Sequence, residues 1–168
     1  NTALGSEALY ANTTASQNTA VGYGAMKATT TGGYNTALGR EALTSHTTGN
    51  HNVALGRLAL NSATTASYNT SVGDGALRYD TTGGSNTAVG YEALKSVTTG
   101  NHNVSVGHAA GNHNISITTG TNNVCVGAYT RPGAADGSNQ IMIGYDVQGS
   151  TANQVHIGSN AGKIYNSF

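Results

Sequence analysis

The sequence predicts an all-β fold, a parallel β-solenoid of about ten coils, and two observations lead to that prediction. The first is a 17-residue repeat that opens with Asn, Thr or Val, a small residue, Leu or Val, and Gly, as at residues 86–90. The second is that this opening pentad alternates with a period of two, which is typical of a short β-strand. Such short repeats bury little on their own, so successive copies are expected to stack in register.

The coil openings are read directly from the chain. Seven of them recur at a constant 17-residue spacing, at Asn1, Asn18, Asn35, Asn52, Asn69, Asn86 and Asn103. Three more follow at uneven spacing, at Asn123, Gln140 and Gln154. The chain is therefore read as a series of 14–20-residue coils. The Gly-Asn-His ending at residues 49–51 returns at 100–102, which indicates duplication of a block of three coils.

Within each coil we expect two short strands separated by turns. The pentad is the first strand, and the second begins at an Ala-Leu or Ala-Met pair such as Ala93-Leu94. A helix at that pair is rejected, because about six residues are available and a helix needs ~12 to be even marginally stable alone. The Val or Leu of the first strand and the Leu or Met of the second are predicted to fill the interior. The repeated Asn is predicted to pair its side-chain amide between coils.

The small residue in the middle of the pentad is predicted to face other chains. If Val and Leu fill a thin interior, the opposite side of the strand presents a row of small, uncharged residues that needs cover. Closing three copies around a threefold axis would bury this row and protect flat faces that otherwise aggregate. We therefore expect a parallel homotrimer whose axis is lined by Ala3, Ala20, Ala37, Ala54, Ser71, Ala88, Ser105, Cys125, Met142 and His156.

Three stretches differ in their regularity. Residues 1–106 hold the regular 17-residue repeats. Residues 107–139 are irregular, since three residues are inserted after Gly111 and residues 128–138 lack the Ala-Leu pair, so outward loops are expected there. Residues 140–168 are read as C-terminal coils that lead toward a downstream domain. Because the chain begins with Asn1 instead of Met, we expect it to be a piece of a longer protein.

Composition argues against several function classes. Seven basic residues balance seven acidic ones and charged residues make up only 8%, so no basic stripe is available for nucleic acid. No apolar run approaches the ~20 residues of a membrane helix, so membrane insertion is not expected. No Ser-His-Asp order, paired carboxylates in a motif or Gly-rich phosphate loop is present, and we expect no enzymatic activity.

The six His residues raise the question of a metal site. His102, His108 and His113 lack the His-x-His or His-x3-His spacing that brings two ligands together, and they are read as solvated loop residues. His156 differs, because a threefold axis would bring three copies together into a ring for a Zn- or Fe-like cation. No other cofactor is expected. Cys125 and Met142, in the same column, are read as hydrophobic packing along that axis.

Surface contacts are predicted at two kinds of position. Tyr129 and Arg131 lie in the irregular stretch and belong to residue types that are over-represented at interface hot spots, so they are the predicted receptor contacts. The alternative is sugar binding along the sides by Tyr10, Tyr23, Tyr34, Tyr68, Tyr79 and Tyr91. A hypothesis of another class is ice binding by stacked Thr-Thr pairs, at 13–14, 30–31, 47–48, 64–65, 81–82, 98–99 and 118–119.

The pentad at 86–90, together with Ala93-Leu94, resembles the Val-Ala-Ile-Gly repeats of YadA-type trimeric adhesin heads. That resemblance implies a left-handed parallel β-roll assembled as a trimer. The longer repeat, which closes with Thr-Thr-Gly, is more similar to shafts of bacteriophage tail fibres and related fibres that end in a cleavable intramolecular chaperone. Residues 153–168 resemble the segment that precedes such a chaperone.

The resemblance implies a structural and attachment segment of a trimeric fibre that presents or forms a receptor-binding surface. Its expected location is a virion tail fibre or, more generally, the extracellular space or a cell surface. Its expected partners are two further copies of itself and a glycan or protein on the surface of a host or prey cell. A bacterial trimeric adhesin head that mediates cell adhesion is the alternative within the same architecture, and an ice-binding solenoid is the alternative of another class.

Overall fold

The computed structural model describes residues 1–150, 152–159 and 162–167, and in these residues the chain is all-β, without a helix. The strands are β1 Thr2–Leu4, β2 Thr19–Val21, β3 Thr36–Leu38, β4 Val53–Leu55, β5 Thr70–Val72, β6 Thr87–Val89, β7 Val104–Val106, β8 Asn112–His113, β9 Ile115–Ser116, β10 Val124–Val126, β11 Gln140–Tyr145, β12 Gln154–Ser159 and β13 Gly162–Ser167.

Ten of these strands form a parallel ladder in chain order, from β1 to β7 and on through β10, β11 and β12. Each strand pairs with the equivalent strand of the next coil, so Thr2 lies opposite Thr19. The pairing continues through the uneven coils, from Val104 to Val124, from Val124 to Ile141 and from Ile141 to Val155. The predicted solenoid and its coil lengths are confirmed. β13 then reverses and pairs antiparallel with β12.

The 20-residue coil accommodates its insertion in a small hairpin. β8 and β9 pair antiparallel around Asn114, whose φ is 56°. The Ser96 hydroxyl donates a hydrogen bond to Asn112 Oδ1 at 2.7 Å, which ties the hairpin to the preceding coil. The insertion at this point of the irregular stretch is thus absorbed outside the main sheet, whose register continues unchanged.

The second predicted strand is wrong, because the Ala-Leu pairs lie in stacked turns. The Leu or Met of each pair has a left-handed backbone, with φ of 52° at Leu43 and 50° at Leu60. The turns still bond from coil to coil, since the Leu43 N–H donates to the Ala59 carbonyl at 3.0 Å. This conformation is unfavourable for residues with a side chain, but here it directs a long apolar side chain into the core.

The two faces of the first strand are also reversed relative to the prediction. The small residues point inward and are fully buried against the Leu and Met of the turns, as Ala37 and Ala54 show. The flanking Thr, Val, Leu and Ile residues point outward. A 17-residue coil already encloses a Leu and a buried Asn, and close packing leaves room only for a small residue beside them.

The inward residue becomes larger where the Leu is lost. Ala88 is followed in its turn by Leu94, whereas Cys125 and Met142 belong to coils whose turns carry no Leu at that position. All of these side chains are fully buried. A larger side chain on the strand therefore fills the space that the Leu of the turn occupies in earlier coils, and the interior stays closely packed.

The repeated Asn forms a continuous ladder along the interior. The N–H of each Asn donates to Oδ1 of the Asn one coil earlier, as from Asn35 to Asn18 at 2.8 Å. Its Nδ2 donates to a carbonyl later in its own coil, as from Asn69 to Gly83 at 2.8 Å. Direct amide pairing is present at some steps, for example from Asn52 to Asn35 at 3.0 Å, so the predicted ladder is confirmed with backbone groups as its main partners. Both amide atoms are satisfied inside the core.

Candidate functional site

The outward side of the ten parallel strands presents two flat ranks of side chains, which we call the outer sheet face. One rank holds the first residue of each three-residue strand and its equivalents, from Thr2 to Val155, and the other holds the third, from Leu4 to Ile157. Several large apolar members are exposed, namely Leu4, Leu38, Val104, Val106, Val126, Ile141, Ile143 and Ile157. Exposed apolar surface that is contiguous and flat marks interaction sites.

The outer sheet face becomes more apolar along the chain. Its first rank is mainly Thr in the early coils and Val or Ile from Val104 onward. None of the 7 basic or 7 acidic residues lies in a pentad. Near the C-terminal coils a shallow, largely apolar hollow is lined by Asn139, Ile141, Asn153, Gln154 and Val155. The chemistry of this face therefore suits an apolar partner surface.

The residues predicted to line a trimer axis lie inside the chain's own coil. Ala20, Ala37, Ala54, Ser71, Ala88, Ser105, Cys125, Met142 and His156 are fully buried in a single chain. Ala3 is exposed, since β1 has a paired strand on one side only. This column is consequently closed to other chains, and its assignment to an axis is wrong because the strand faces are reversed.

The predicted metal ring at His156 fails for the same reason. His156 is fully buried, and its Nε2 lies 3.0 Å from Gln154 Oε1 inside the coil. Among the described residues no group of three or more His, Cys, Asp or Glu side chains is placed to hold a metal ion. Burial raises the pKa of the Cys125 thiol, in the same column, to about 12. Cys125 is a packed hydrophobic side chain as predicted, but it packs inside the coil and not along a trimer axis.

Arg131 is not the exposed contact that the sequence predicts. It is 6% exposed, and its guanidinium pairs with the Asp146 carboxylate. Its Nη1 also donates to the Tyr129 carbonyl at 3.3 Å. Arg131 takes the turn position that Leu holds in earlier coils, and the ion pair compensates its burial. Tyr129 is half-buried among other rings.

Aromatic residues, most of them exposed, form two columns along the rod. In the first aromatic column, His51 stacks between Tyr34 and Tyr68, with ring centroids 4.8 and 5.1 Å apart. The second runs through Tyr91, His108, Tyr129 and Tyr145, with His113 from the hairpin against Tyr129 at 4.7 Å. Most of these distances are close to the coil spacing of about 4.8 Å, and the longest is 5.8 Å between Tyr129 and Tyr145.

Sequence reasoning identified several of these Tyr residues singly but missed their His partners. The signal was present, because Tyr34, His51 and Tyr68 follow one another at the 17-residue spacing and therefore share a column. The three remaining Tyr residues proposed for sugar binding, Tyr10, Tyr23 and Tyr79, are exposed. Arg40 lies 6.0 Å from the ring of Tyr23, and Arg78 lies 5.2 Å from that of Tyr79.

The two hydroxyls of each Thr-Thr pair have different environments. The first hydroxyl donates to the backbone carbonyl of the equivalent Thr in the next coil, as from Thr47 to Thr64 at 2.9 Å. The second Thr is exposed in every pair, at Thr14, Thr31, Thr48, Thr65, Thr82, Thr99 and Thr119. One hydroxyl of each pair is therefore structural, and a single rank remains for water or ligands.

Two ionisable side chains that sequence reasoning missed, Asp80 and His46, lie fully buried in the interior of the turns. Burial raises the pKa of the Asp80 carboxyl to about 8, opposed by a hydrogen bond from the Gly83 N–H. Burial lowers the pKa of His46, whose Nε2 lies 2.8 Å from the Gly49 carbonyl. Equivalent positions hold Thr29, Ala63 and Val97. Neither side chain is accessible to a substrate in this fold.

Comparison of the chain with known protein families, with curated proteins and with solved structures finds no match. Within the described residues, no helix has the length and apolar character needed to cross a membrane. The outer sheet face and the aromatic columns are therefore the two surface features that indicate a function.

Proposed function

We propose that the chain is a structural and attachment segment of a trimeric fibre, a phage tail fibre or a similar assembly, that presents or forms a surface for a host receptor. The observation that carries the proposal is the outer sheet face, on which Leu4 is 66% and Leu38 is 50% exposed. Ten strands at a spacing of about 4.8 Å make a rod of roughly 45 Å, so this face runs along the whole length of the stack.

Association through the outer sheet face follows from its chemistry. A flat sheet surface with exposed Val, Leu and Ile promotes uncontrolled aggregation unless it is covered. A closed ring of three identical chains covers the same patch on every copy and leaves none open. The proposed interface lies on the opposite side of the strand from the column of small residues that sequence reasoning chose.

Attachment is proposed because the sides of the rod remain available once the outer sheet faces are covered. Exposed Tyr and His residues lie there in columns, and aromatic residues are common at recognition surfaces. The partner we propose is a glycan or a protein on the surface of a host or prey cell, and the location is a virion fibre or a cell surface. A bacterial trimeric adhesin head has the same geometry and is distinguished by the genes that adjoin this sequence.

Native mass spectrometry at micromolar concentration tests the assembly. We expect a trimer for the wild-type chain and a monomer for Val126→Lys, which places a charge in the outer sheet face. Tyr79→Lys places the same charge on a side of the rod and is expected to leave the trimer intact. A monomeric wild-type chain, or a trimer that survives Val126→Lys, contradicts the proposal.

Ice binding is the second candidate, and the exposed Thr rank is the observation that favours it. A regular rank with the coil spacing of about 4.8 Å can order water over its length. Its neighbouring positions change from Gly33 to Asn50 to Ser67 between coils, which makes the surface uneven. Thermal hysteresis separates the two functions: the fibre proposal expects none, and a hysteresis that is abolished by Thr65→Tyr would favour the ice-binding solenoid.

A further inference from the structure

The first aromatic column is interrupted at one coil. The position that precedes each buried Asn of the repeat holds, in order, Gln17, Tyr34, His51, Tyr68, Ser85 and His102. Three rings therefore stack continuously, and then a hydroxymethyl group replaces a ring before the next His. Tyr68 is 64% exposed, and both Ser85 and His102 are exposed.

The backbone continues unchanged through the interruption. The φ angles of Tyr68, Ser85 and His102 are 61°, 57° and 55°. The Ser85 N–H donates to the Ser67 carbonyl at 3.1 Å, and the His102 N–H donates to the Gly84 carbonyl at 3.1 Å. The three Cα–Cβ bonds consequently leave the coil in the same way. Only the ring is missing at Ser85.

We propose that the gap above Ser85, between the rings of Tyr68 and His102, is a binding slot for one pyranose ring of a neutral glycan. This inference deepens the proposed attachment function, since it assigns a ligand class and a position to the receptor contact. The slot lies outside the strands that form the outer sheet face, so trimer formation through that face and glycan binding are separate properties.

The filled part of the same column sets the dimensions of the slot. Tyr34 and Tyr68 are two coils apart, and His51 fits between them with its centroid 4.8 and 5.1 Å from theirs. Tyr68 and His102 are also two coils apart, about 9.6 Å. A guest ring in the slot therefore lies about 5 Å from each neighbour, as His51 does. A pyranose chair, with axial C–H groups on both faces, suits this spacing.

The chemistry of the slot favours a sugar over a flat aromatic guest. The face of a Tyr ring carries the negative part of its quadrupole and attracts C–H groups, which a pyranose presents on both sides. Ser85 provides a hydroxyl at the floor for the sugar's own hydroxyls. The six column positions from Gln17 to His102 include no acidic residue, Lys or Arg, so the geometry points to a neutral sugar.

The rim of the slot is held in place by hydrogen bonds. Asn101 Oδ1 accepts the Gly84 N–H at 2.8 Å, and Asn101 Nδ2 donates to the Thr99 carbonyl at 2.9 Å. These bonds fix the turn residues that precede Ser85 and His102. With the backbone held in this way, ligand binding has to order only the exposed side chains of the slot, which favours affinity.

The internal duplication places a ring at the position that is equivalent to the gap. Ser85 is equivalent to Tyr34 in the preceding block of three coils, and His102 is equivalent to His51. The first block therefore carries an adjacent Tyr-His pair in this column, and the second block keeps the His but has Ser in place of the Tyr.

Saturation-transfer NMR with methyl pyranosides of glucose, galactose, mannose and N-acetylglucosamine tests the slot. We expect at least one pyranoside to bind the wild-type chain. Ser85→Tyr fills the slot and Tyr68→Ala removes one wall, and each is expected to weaken that binding by about tenfold or more. Gln17→Tyr is the matched control, because it adds a ring to the same column next to Tyr34 and leaves the slot open; its binding is expected to equal the wild type.

Absence of binding by every pyranoside, or equal binding by wild type and Ser85→Tyr, overturns the proposal. Binding of free phenol with no pyranoside also overturns it, since the slot is then selective for aromatic guests. Melting curves followed by circular dichroism verify that each variant is folded. If Ser85→Tyr is unfolded, His102→Ala replaces it in the test, and equal pyranoside binding by the wild type and His102→Ala then overturns the proposal. Native mass spectra of the same samples separate the two proposals. If the chain is a monomer that binds a pyranoside, the trimer proposal is rejected and the binding slot is retained. If the chain is a trimer that binds no pyranoside, the binding slot is rejected and the trimer is retained.

Discussion

Asp80 Oδ1 accepts a hydrogen bond from the Gly83 N–H at 2.7 Å in a turn that is closed to solvent. Its Oδ2 is buried without a hydrogen-bond partner. A charged carboxylate is unfavourable in such a site, and its pKa rises from the ordinary 3.8 to about 8. The folded chain therefore holds a proton on Asp80 at neutral pH that the unfolded chain has released.

Asp80→Asn is expected to stabilise the protein at neutral and alkaline pH. Because the folded pKa is raised, the stability linked to Asp80 is complete below pH ~4 and is lost as the pH rises through about 8. The loss is on the order of 4 kcal/mol at pH 7. Melting temperatures measured from pH 6.5 to 8, above the ordinary pKa of His46, are expected to fall for the wild type and to change much less for the variant.

Asp74→Asn is the control for this experiment, since Asp74 is a partly exposed carboxylate that pairs with Arg57 at 3.0 Å. An exposed pair contributes little, so its pH profile is expected to follow the wild type. If the profiles of wild type and Asp80→Asn run parallel, the carboxyl of Asp80 is not buried as described.

His46→Thr is expected to steepen the pH dependence below neutrality. Burial lowers the pKa of His46, so the stability linked to it is present above the ordinary 6.5 and is lost as the pH falls. The change of stability with pH that His46 causes is opposite in sign to the change that Asp80 causes. The melting temperature of the wild type is therefore expected to vary little with pH just below 6.5. Removing His46 leaves the Asp80 slope alone, so melting temperatures of the variant should rise as the pH falls from 8 to 4. A variant that retains the level profile would contradict this assignment.

Gly73→Ala is expected to destabilise the solenoid strongly. Gly73 has a φ of 134°, and a Cβ placed there would lie 2.6 Å from the Gly90 carbonyl carbon in the next coil. Gly75→Ala is the matched control, because its φ is 66° and the added Cβ would meet only Glu92 Cγ at 3.6 Å. The equivalent position already holds Glu41 and Glu92 with positive φ. Chemical unfolding should separate the two by several kcal/mol, about 3 or more; similar stabilities would mean that coils are farther apart than described.

Asn69→Leu is expected to break the interior ladder. The substitution leaves the Gly83 carbonyl and the Asn86 N–H without the amide atoms that lie 2.8 Å from each. Two unsatisfied buried groups cost about 2–6 kcal/mol together. Asn122→Gly removes an amide that bonds the exposed Asn139 at 3.1 Å and tolerates the φ of 57° at this position, so it is the control, with an expected change below about 1 kcal/mol. Equal melting temperatures for the two variants would show that the ladder is not needed for stability.

The repeat period was sufficient to predict the stacking but not which face of the strand lies inside. Spacing between equivalent Asn residues gives the register, including the longer step across the hairpin from Val104 to Val124. A strand of three residues has one residue on one side and two on the other, and alternation alone does not say which side is buried. The apolar character of Val89 and Val106 favoured the wrong choice.

Side-chain volume was the missed signal. The inward series runs through Ala88, Ser105, Cys125, Met142 and His156, and it exceeds the size of Ser only after the last turn that carries Leu, at Leu94. That compensation is expected of residues that share one enclosed space. The stacked turns at Ala-Leu escaped prediction because Leu at positive φ is rare in general and is imposed here by neighbouring coils.

The reversal of β13 against β12 affects how long such a rod can become. A stack of equivalent parallel coils has no intrinsic length, since its last strand offers the next one the same pattern of N–H and C=O groups as the strand before it. Gln154 is instead opposite Ser167, and Ser159 is opposite Gly162, so the hydrogen-bonding edge of β12 is used by a chain that runs the other way. The parallel pairing that joins each coil to the next is therefore interrupted at β12, because a coil placed beyond β13 would meet a strand that runs in the opposite direction.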